Sequence, residues 1–297
     1  MGRERHHEVE GKNLFLTILL NAGICLAELI GGIISGSISL ISDAIHNFSD
    51  VLSLIISYSA NKLAKREATG KQTFGFKRSE ILAAFLNSTT LIVLAFYILY
   101  KAVERLISPV DVSSSWVIWL ALGSIAVNGL SVLFIKKDAE GNMNMKSAYL
   151  HLLGDMMTSV AVLIGGILMK YFHVYWIDPV FSILIAIYLI YLSWDIFMSS
   201  LKIMMQFAPE HIDINEINLN VSKIKGVGNI HHVHIWQINE HDIMFEAHID
   251  LQENIKISDF EGILKSLKDH LRSEYDIHHI TIQPEFSVDD NKQLIKS

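Results

Sequence analysis

The sequence predicts an α-helical membrane protein, with six transmembrane helices followed by a C-terminal α+β domain. Apolar residues make up 51% of the 297-residue chain, and the mean hydropathy is +0.36. Charged residues make up only 19%, which is below the usual value of about a quarter. Because the long apolar runs stop at about Pro209, we divide the chain into a cytoplasmic N-terminal segment (1–13), a transmembrane domain (14–208), a cytoplasmic domain (209–286) and a flexible tail (287–297).

Six segments approach the roughly 20 apolar residues that a helix needs to cross a bilayer. They are residues 14–34, 38–63, 81–106, 116–135, 147–169 and 177–203. Residues 1–12 are polar, and no small-residue cleavage site follows a short apolar core, so we predict no cleavable signal peptide. The first segment is therefore expected to remain in the protein as a helix.

Lysine and arginine residues accumulate in alternate connections between these segments. They are frequent before the first helix, between the second and third, and between the fourth and fifth, whereas connections 35–37 and 108–115 contain none. Cytoplasmic loops of membrane proteins carry this excess of positive charge. The distribution therefore predicts that both termini lie in the cytoplasm.

The region after Pro209 changes from long apolar runs to helical spacing and alternation. It predicts a helix at 213–224, strands at 230–238 and 243–251, a helix at 259–273 and a strand at 277–284. Ser258 with Glu261 has the spacing of a capping box at the start of the second of these helices. The order predicts a small α+β domain with helices on one face of a sheet.

Two transmembrane segments carry ionisable residues in the same pattern. His46 and Asp50 lie in the second segment, and His151 and Asp155 lie in the fifth. One aspartate at the centre of a membrane helix costs about 2.5–3.5 kcal/mol on insertion scales. Each pair is spaced i, i+4, so its two side chains share one helix face. Facing helices would bring two imidazoles and two carboxylates together.

Four nitrogen and oxygen ligands are the number that tetrahedral zinc requires. A site without thiolates suits zinc, with cobalt and cadmium as further candidates. Two close carboxylates raise each other's pKa, so such a site takes up protons when no metal binds. Ligands must lose protons to bind metal, and this exclusivity is the physical basis for exchanging a metal ion for protons.

Other readings of these residues remain open. One His–Asp pair could be a buried ion pair, although two pairs at identical spacing are hard to explain in that way. We interpret Asp43 as a solvated residue near the start of its helix. Asn21 and Glu28 either line the ion path or pair with neighbouring helices, and we favour pairing. An intramembrane protease is disfavoured, since the sequence contains no H-E-x-x-H motif.

Nine of the fourteen histidines lie beyond Pro209. This density predicts either a cytoplasmic metal-sensing site or a set of polar surface histidines, and we give the two interpretations equal weight. Period-2 alternation places His232 and His234 on one strand face and His231 on the other. The net charge of −7 argues against nucleic acid as a partner, because no basic surface is available to neutralise phosphates.

Five motifs resemble those of the cation diffusion facilitator family, in its bacterial cobalt–zinc–cadmium efflux branch. They are SDAIHNFSD at 42–50, FGFKRSE at 74–80, YLHLLGD at 149–155, IHHVHIW at 230–236 and TIQPE at 281–285. The resemblance extends from the first helix to Glu285. It implies six transmembrane helices with a ferredoxin-like cytoplasmic domain, in a homodimer within the lipid bilayer.

The activity implied by the resemblance is export of zinc, and of cadmium or cobalt in some relatives, in exchange for protons by alternating access. His46, Asp50, His151 and Asp155 match the family's transport site. A second set falls where the family binds regulatory cytoplasmic zinc at its dimer interface: His231, His248, His278 and Glu285. The short 136–146 loop has no histidine, which is typical of a bacterial protein of the plasma membrane.

Two other functions compete with transport. A membrane metal sensor would bind zinc and signal through the cytoplasmic domain without moving ions, but no kinase, cyclase or receiver motif is recognisable there. A metalloenzyme keeps an open coordination position on its zinc. Four protein ligands would fill that position, so we expect a transporter and not an enzyme.

Overall fold

The computed structural model describes residue 19 and residues 22–108, 110–139 and 143–295. Within the helices at Ile38–Ala64, Ser114–Ala139 and Met143–Phe172, the side chains of some positions lie outside that description. Asp50 and His151 are among them. The chain divides into two compact units. The first combines Met1–Tyr58 with Leu86–Phe197, and the second combines Ser59–Phe85 with Met198–Ser297.

Six helices precede the C-terminal domain in the described residues. They are α1 (Ala22–Ser35), α2 (Ile38–Ala64), α3 (Ser79–Ile107), α4 (Ser114–Ala139), α5 (Met143–Phe172) and α6 (Ile177–Met204). Each corresponds to one of the six predicted segments. Within the described residues, α3, α6 and the stretches Ser114–Leu133 and Leu152–Phe172 are long and apolar enough to span a membrane.

The first unit has an apolar core to which five helices contribute. Its buried side chains include Leu40 from α2, Ala95 from α3, Val117 from α4, Val162 from α5 and Leu189 from α6. Many other large apolar side chains in these helices are exposed, which is the pattern expected when lipid replaces water as the surrounding solvent. The core therefore packs α2 and α5 into one unit together with α3, α4 and α6.

The C-terminal domain follows the predicted order of elements. It contains α7 (Ile214–Val221), β1 (Val227–Gln237), β2 (Ile243–Leu251), α8 (Ile257–Tyr275) and β3 (His279–Glu285). The sheet order is β1-β2-β3, with β1 antiparallel and β3 parallel to β2. Buried side chains from both helices and the sheet, such as Ile217, Phe245 and Leu267, form one core.

Two local expectations are corrected by the structure. Lys256 is the N-cap of α8 and makes no side-chain cap hydrogen bond, so the predicted capping box at Ser258 is wrong. The helix starts at Ile257, two residues earlier than its motif suggested, and the Ser258 hydroxyl donates to Asp259. The tail expected from 287 onward is attached to the sheet, because the Val233 amide donates to the Leu294 carbonyl at 2.8 Å.

Candidate metal centres

The predicted contact between α2 and α5 is present in the first unit. His46 Nε2 lies 3.5 Å from Asp155 Oδ1, and both side chains are less than a tenth exposed. These two residues belong to different predicted His–Asp pairs, so the contact joins the two halves of the predicted site. The other members, Asp50 and His151, lie in α2 and α5, but their side chains are outside the described residues.

Asp43 adds a further carboxylate to this region, and our interpretation of it as solvated is wrong. It is 1% exposed. Thr158 donates a hydrogen bond to Asp43 Oδ1 at 2.9 Å, and Ser159 donates one to Oδ2 at 3.1 Å. Asp43 therefore ties α2 to α5 one turn from the His46–Asp155 contact, where its partners are neutral hydroxyl groups.

Glu28 follows the interpretation that we favoured, pairing with a neighbouring helix. Its side chain is fully buried, and Asn47 of α2 donates an amide hydrogen bond to Glu28 Oε2 at 3.3 Å. Asn21 lies outside the described residues. The polar interior of this unit thus links α1, α2 and α5 through uncharged donors.

A different buried carboxylate, Asp178 at the start of α6, holds the N-terminus of α2. It accepts hydrogen bonds from the Ile38 amide at 2.9 Å and the Ser39 hydroxyl at 2.6 Å. The Arg105 guanidinium lies 3.9 Å away. A carboxylate at a helix N-terminus satisfies free amides and complements the helix dipole, so Asp178 fixes the end of the helix that carries His46.

A second cluster lies on the sheet of the cytoplasmic domain. His231 of β1 and His248 of β2 are register partners, as are Asp250 of β2 and Glu285 of β3. Side chains directly opposite each other on neighbouring strands share a face. Residues far apart in sequence therefore meet because of strand register alone.

Ligand atoms of four residues in this cluster lie within 4.8 Å of one another: His231, His248, Glu285 and Asp290. His231 Nε2 is 3.3 Å from Glu285 Oε2 and 3.5 Å from Asp290 Oδ2. His248 Nδ1 is 2.7 Å from Glu285 Oε1. Two imidazoles and two carboxylates have the composition of a four-coordinate zinc site.

A bulge in β1 alters the face assignment of the three histidines. The pairing with β2 shifts register between His231 and His234, and His232 has a φ of 52°. As a result the His232 ring lies 4.6 Å from that of His248. The expectation that His231 faces away from His232 and His234 is therefore wrong, because alternation holds only in a regular strand.

Lys292 brings a fixed positive charge into the cytoplasmic cluster. Its Nζ is 2.9 Å from Asp250 Oδ1 and 3.2 Å from Glu285 Oε2, and it also pairs with Asp290. The hydrogen bond from Lys292 lowers the pKa of Asp290. Burial alone would raise the pKa of Glu285, but hydrogen bonds from Lys292 and Gln283 lower it below its ordinary value.

His278 is the predicted cytoplasmic ligand that a single chain does not bring to this cluster. Its side chain is 64% exposed, and its Nδ1 lies 3.6 Å from Asp276. Its assignment stays a prediction, since the family site was expected at a dimer interface. Asp290 and Lys292 were missed, because a polar segment after the last strand looks like a solvated tail.

The described residues of the cytoplasmic cluster fit a metal ion. His231 is fully buried, and its Nε2 faces two carboxylates, those of Glu285 and Asp290. Its Nδ1 makes no hydrogen bond within the described residues and lies 3.7 Å from Asp250. A buried imidazole nitrogen that faces two carboxylates has the surroundings of a zinc ligand. His231, His248, Glu285 and Asp290 would supply the ligands, and a bound metal would supply a link among β1, β2, β3 and the tail.

Four helical stretches of the described residues are long and apolar enough to span a membrane, and α2 and α5 meet at a buried His–Asp contact. These features indicate a multi-pass membrane protein. Residues 14–205 match the cation efflux transmembrane domain, and residues 209–287 match the cation efflux protein cytoplasmic domain. The chain therefore belongs to the cation efflux family. It is a cation efflux transporter and not an enzyme.

Curated relatives match almost the whole chain. A cadmium, cobalt and zinc/H(+)-K(+) antiporter of Bacillus subtilis is 33% identical, over 99% of this chain and 95% of its own length. The metal cation efflux system protein CzcD of Cupriavidus metallidurans is 32% identical, over 97% and 91%. A solved metal-bound C-terminal domain of the CzcD transporter shares 27% identity, over 25% of this chain and 99% of that chain, with a TM-score of 0.23.

Proposed function

We propose that this protein exports zinc from the cytoplasm in exchange for protons, through a transport site formed by His46, Asp50, His151 and Asp155. The observation that carries the proposal is the buried contact between His46 of α2 and Asp155 of α5, at 3.5 Å. Cadmium and cobalt, which the Bacillus relative's name includes, are further candidate substrates.

The proposed exchange follows from the charges of the site. Two aspartates neutralise a divalent cation, which removes much of the cost of placing charge in a bilayer. The same oxygen and nitrogen atoms take up protons when the ion leaves, since metal and protons compete for one set of ligands. Ion and protons therefore cross in opposite directions, if the site opens to one side at a time.

The wider arrangement belongs to the same proposal. We place the protein in the plasma membrane with both termini in the cytoplasm, in agreement with the lysine and arginine distribution. The cytoplasmic cluster, with His231, His248, Glu285 and Asp290 as ligands, then samples cytoplasmic zinc. Zinc bound there stabilises the homodimer, for which a cytoplasmic domain shared with the family supplies the surface.

The test is zinc flux into proteoliposomes under an imposed pH gradient. Wild-type protein is expected to move zinc only when the gradient is present. Asp155→Ala and Asp50→Ala should reduce flux to the level of protein-free vesicles, because each removes a ligand and half of the neutralising charge. Asp195→Ala is the matched control, since Asp195 is an exposed aspartate on α6.

Three outcomes separate the alternatives. Gradient-driven flux that disappears in the Asp155 variant supports the antiporter and its site. Proton-coupled zinc flux that persists in Asp155→Ala contradicts the proposed site. Zinc binding by the wild type without flux in any protein would favour the membrane sensor.

A further inference from the structure

The C-terminal tail inserts an ammonium group among the candidate ligands of the cytoplasmic cluster. Lys292 Nζ contacts Asp250 at 2.9 Å and Glu285 at 3.2 Å, pairs with Asp290, and lies 3.5 Å from His231 Nε2. Three of these four partners are carboxylates. Two of them, Glu285 and Asp290, are also candidate metal ligands.

A metal ion and this ammonium group make competing demands on the same atoms. An ion that binds Glu285 and His231 would lie a few ångström from Lys292 Nζ, where two positive charges repel strongly in a partly buried site. The carboxylate lone pairs that Lys292 occupies are also those that a metal would use. Lys292 donates hydrogen bonds to Asp250 and Glu285 and pairs with Asp290. An ammonium group has no lone pair to offer a metal ion, so Lys292 competes with the ion and does not ligate it.

Lys292 also anchors the segment that carries it. On its C-terminal side, the carbonyls of Gln293 and Leu294 accept hydrogen bonds from the amides of His232 and Val233, at 3.1 and 2.8 Å. These two amides belong to the bulge of β1. Displacement of Lys292 would remove the charged contact that holds residues 292–294 on the strand.

We propose that Lys292 is a tethered competitor for the cytoplasmic metal site. The lysine sets the affinity of the site for metal and couples metal binding to release of the tail from β1. Metal and the Lys292 ammonium bind to the cluster alternately. The apparent metal affinity is then the intrinsic affinity multiplied by the fraction of molecules in which Lys292 is displaced. This inference rests on the cytoplasmic metal binding proposed above and not on transport through the membrane site.

The first measurement is zinc affinity of the full chain in lipid nanodiscs, by competition with a fluorescent chelator. Asp50→Ala and Asp155→Ala are combined as the background, so that binding reports the cytoplasmic cluster. In this background, Lys292→Met is expected to bind zinc about 10–100-fold more tightly, the gain when a competitor present in 90–99% of molecules is removed. Lys292→Arg keeps a competing charge and should remain close to the Lys292 protein.

Lys265→Met is the matched control. Lys265 is an exposed lysine on α8 of the same domain, so its replacement changes net charge equally without touching the cluster. It should leave zinc affinity unchanged. An equal gain in affinity in the Lys265 and Lys292 variants would overturn the proposal, because net charge alone would then explain it.

The second measurement is amide hydrogen exchange in peptides that cover residues 230–235 and 291–295. With Lys292 present, zinc should accelerate exchange of the His232 and Val233 amides, as their carbonyl partners leave. In Lys292→Met these amides should exchange rapidly before zinc is added. Slower exchange of these amides on zinc addition would contradict the proposal, and so would the absence of zinc binding at the cluster in every variant. Neither result would affect zinc flux through the membrane site, so the proposed transport function is tested separately.

Discussion

Buried carboxylates occur in both units of this protein, but their partners differ in kind. In the membrane unit, Asp43 accepts hydrogen bonds from two hydroxyl groups, and Asp155 lies against an imidazole. In the cytoplasmic domain, the buried Glu285 is paired with a lysine, which also pairs with the exposed Asp290. The hydroxyl and imidazole partners named for the membrane unit carry no permanent charge, whereas the lysine partner in the cytoplasmic domain is permanently charged.

The difference suggests how one ligand chemistry serves two purposes. A carboxylate with neutral partners must be neutralised by a cation or proton that comes from outside, which suits a site that loads and unloads. A carboxylate with a built-in cation is already neutralised, so a metal ion must displace that cation before binding. The second arrangement suits a site that responds only above a threshold concentration of metal.

The most severe test is to place a fixed cation in the membrane cluster. Thr158→Lys replaces the hydroxyl that donates to Asp43 with an ammonium group on the same face as Asp155. A charge pair at 4 Å is worth about 4 kcal/mol at an effective dielectric of 20, enough to compete with a transported ion. We expect zinc flux in proteoliposomes to fall to background.

A control separates this charge effect from loss of a hydrogen bond. Thr158→Val keeps the shape but removes the donor, and one hydrogen bond to a charged group contributes about 1.5–3 kcal/mol. We expect partial flux and intact folding by size-exclusion chromatography. Normal zinc transport by a well-folded Thr158→Lys protein would show that a fixed cation beside Asp43 does not interfere with ion binding. The difference between the two kinds of carboxylate would then have no functional consequence.

Asp178 tests whether burial alone distinguishes the two kinds of carboxylate. It is fully buried in the membrane unit, yet it has fixed partners in the α2 amides and Arg105. We expect Asp178→Asn to lower the free energy of unfolding by about 3 kcal/mol, as when one partner of a buried pair is lost. Zinc affinity should change little, and thermal unfolding measures the stability.

The matched variant for this test lies on the same helix. Asp195→Asn changes an exposed aspartate of α6 and should leave the unfolding midpoint in place. A loss of zinc affinity in Asp178→Asn as large as in Asp155→Asn would mean that Asp178 belongs to the ion site. The distinction between fixed and exchangeable carboxylates would then fail within the membrane unit.

Much of the membrane unit could be predicted from the sequence, because bilayer thickness and helix geometry leave few choices. The i, i+4 spacing placed His46 and Asp155 on faces that meet in the structure. The role of Asp43 could not be predicted in that way. Its partners, Thr158 and Ser159, are more than a hundred residues away, and only helix packing brings their hydroxyls to it.

The cytoplasmic domain was predicted well at the level of elements and less well at its metal cluster. Alternation predicts strand faces only while pairing is regular, and the bulge at His232 leaves no clear signal in residue hydrophobicity. Lys292 and Asp290 lie in a polar segment whose composition resembles that of a solvated terminus. Their positions depend on backbone hydrogen bonds from β1, which follow from the fold and not from local sequence.

The smallest expected effect concerns a lysine–carboxylate pair outside the cluster. Lys77 Nζ lies 2.9 Å from Asp242, and both side chains are more than a third exposed. We expect a coupling of about 0.2–1 kcal/mol at pH 7 from a double-mutant cycle of Lys77→Met and Asp242→Asn, measured by thermal unfolding. Burial would raise the pKa of Asp242, but Lys77 and Asn239 lower it.

The sign of the pH dependence follows from this lowered pKa. The coupling should be fully present above the ordinary aspartate pKa of 3.8 and disappear as the pH falls through the lower value of the folded protein. Among the groups that face Asp242, Lys77 and His241 both favour its charged form. A coupling above about 2 kcal/mol would show that a single exposed lysine–carboxylate pair can be strong. The contact of Lys292 with three carboxylates would then not be what distinguishes it.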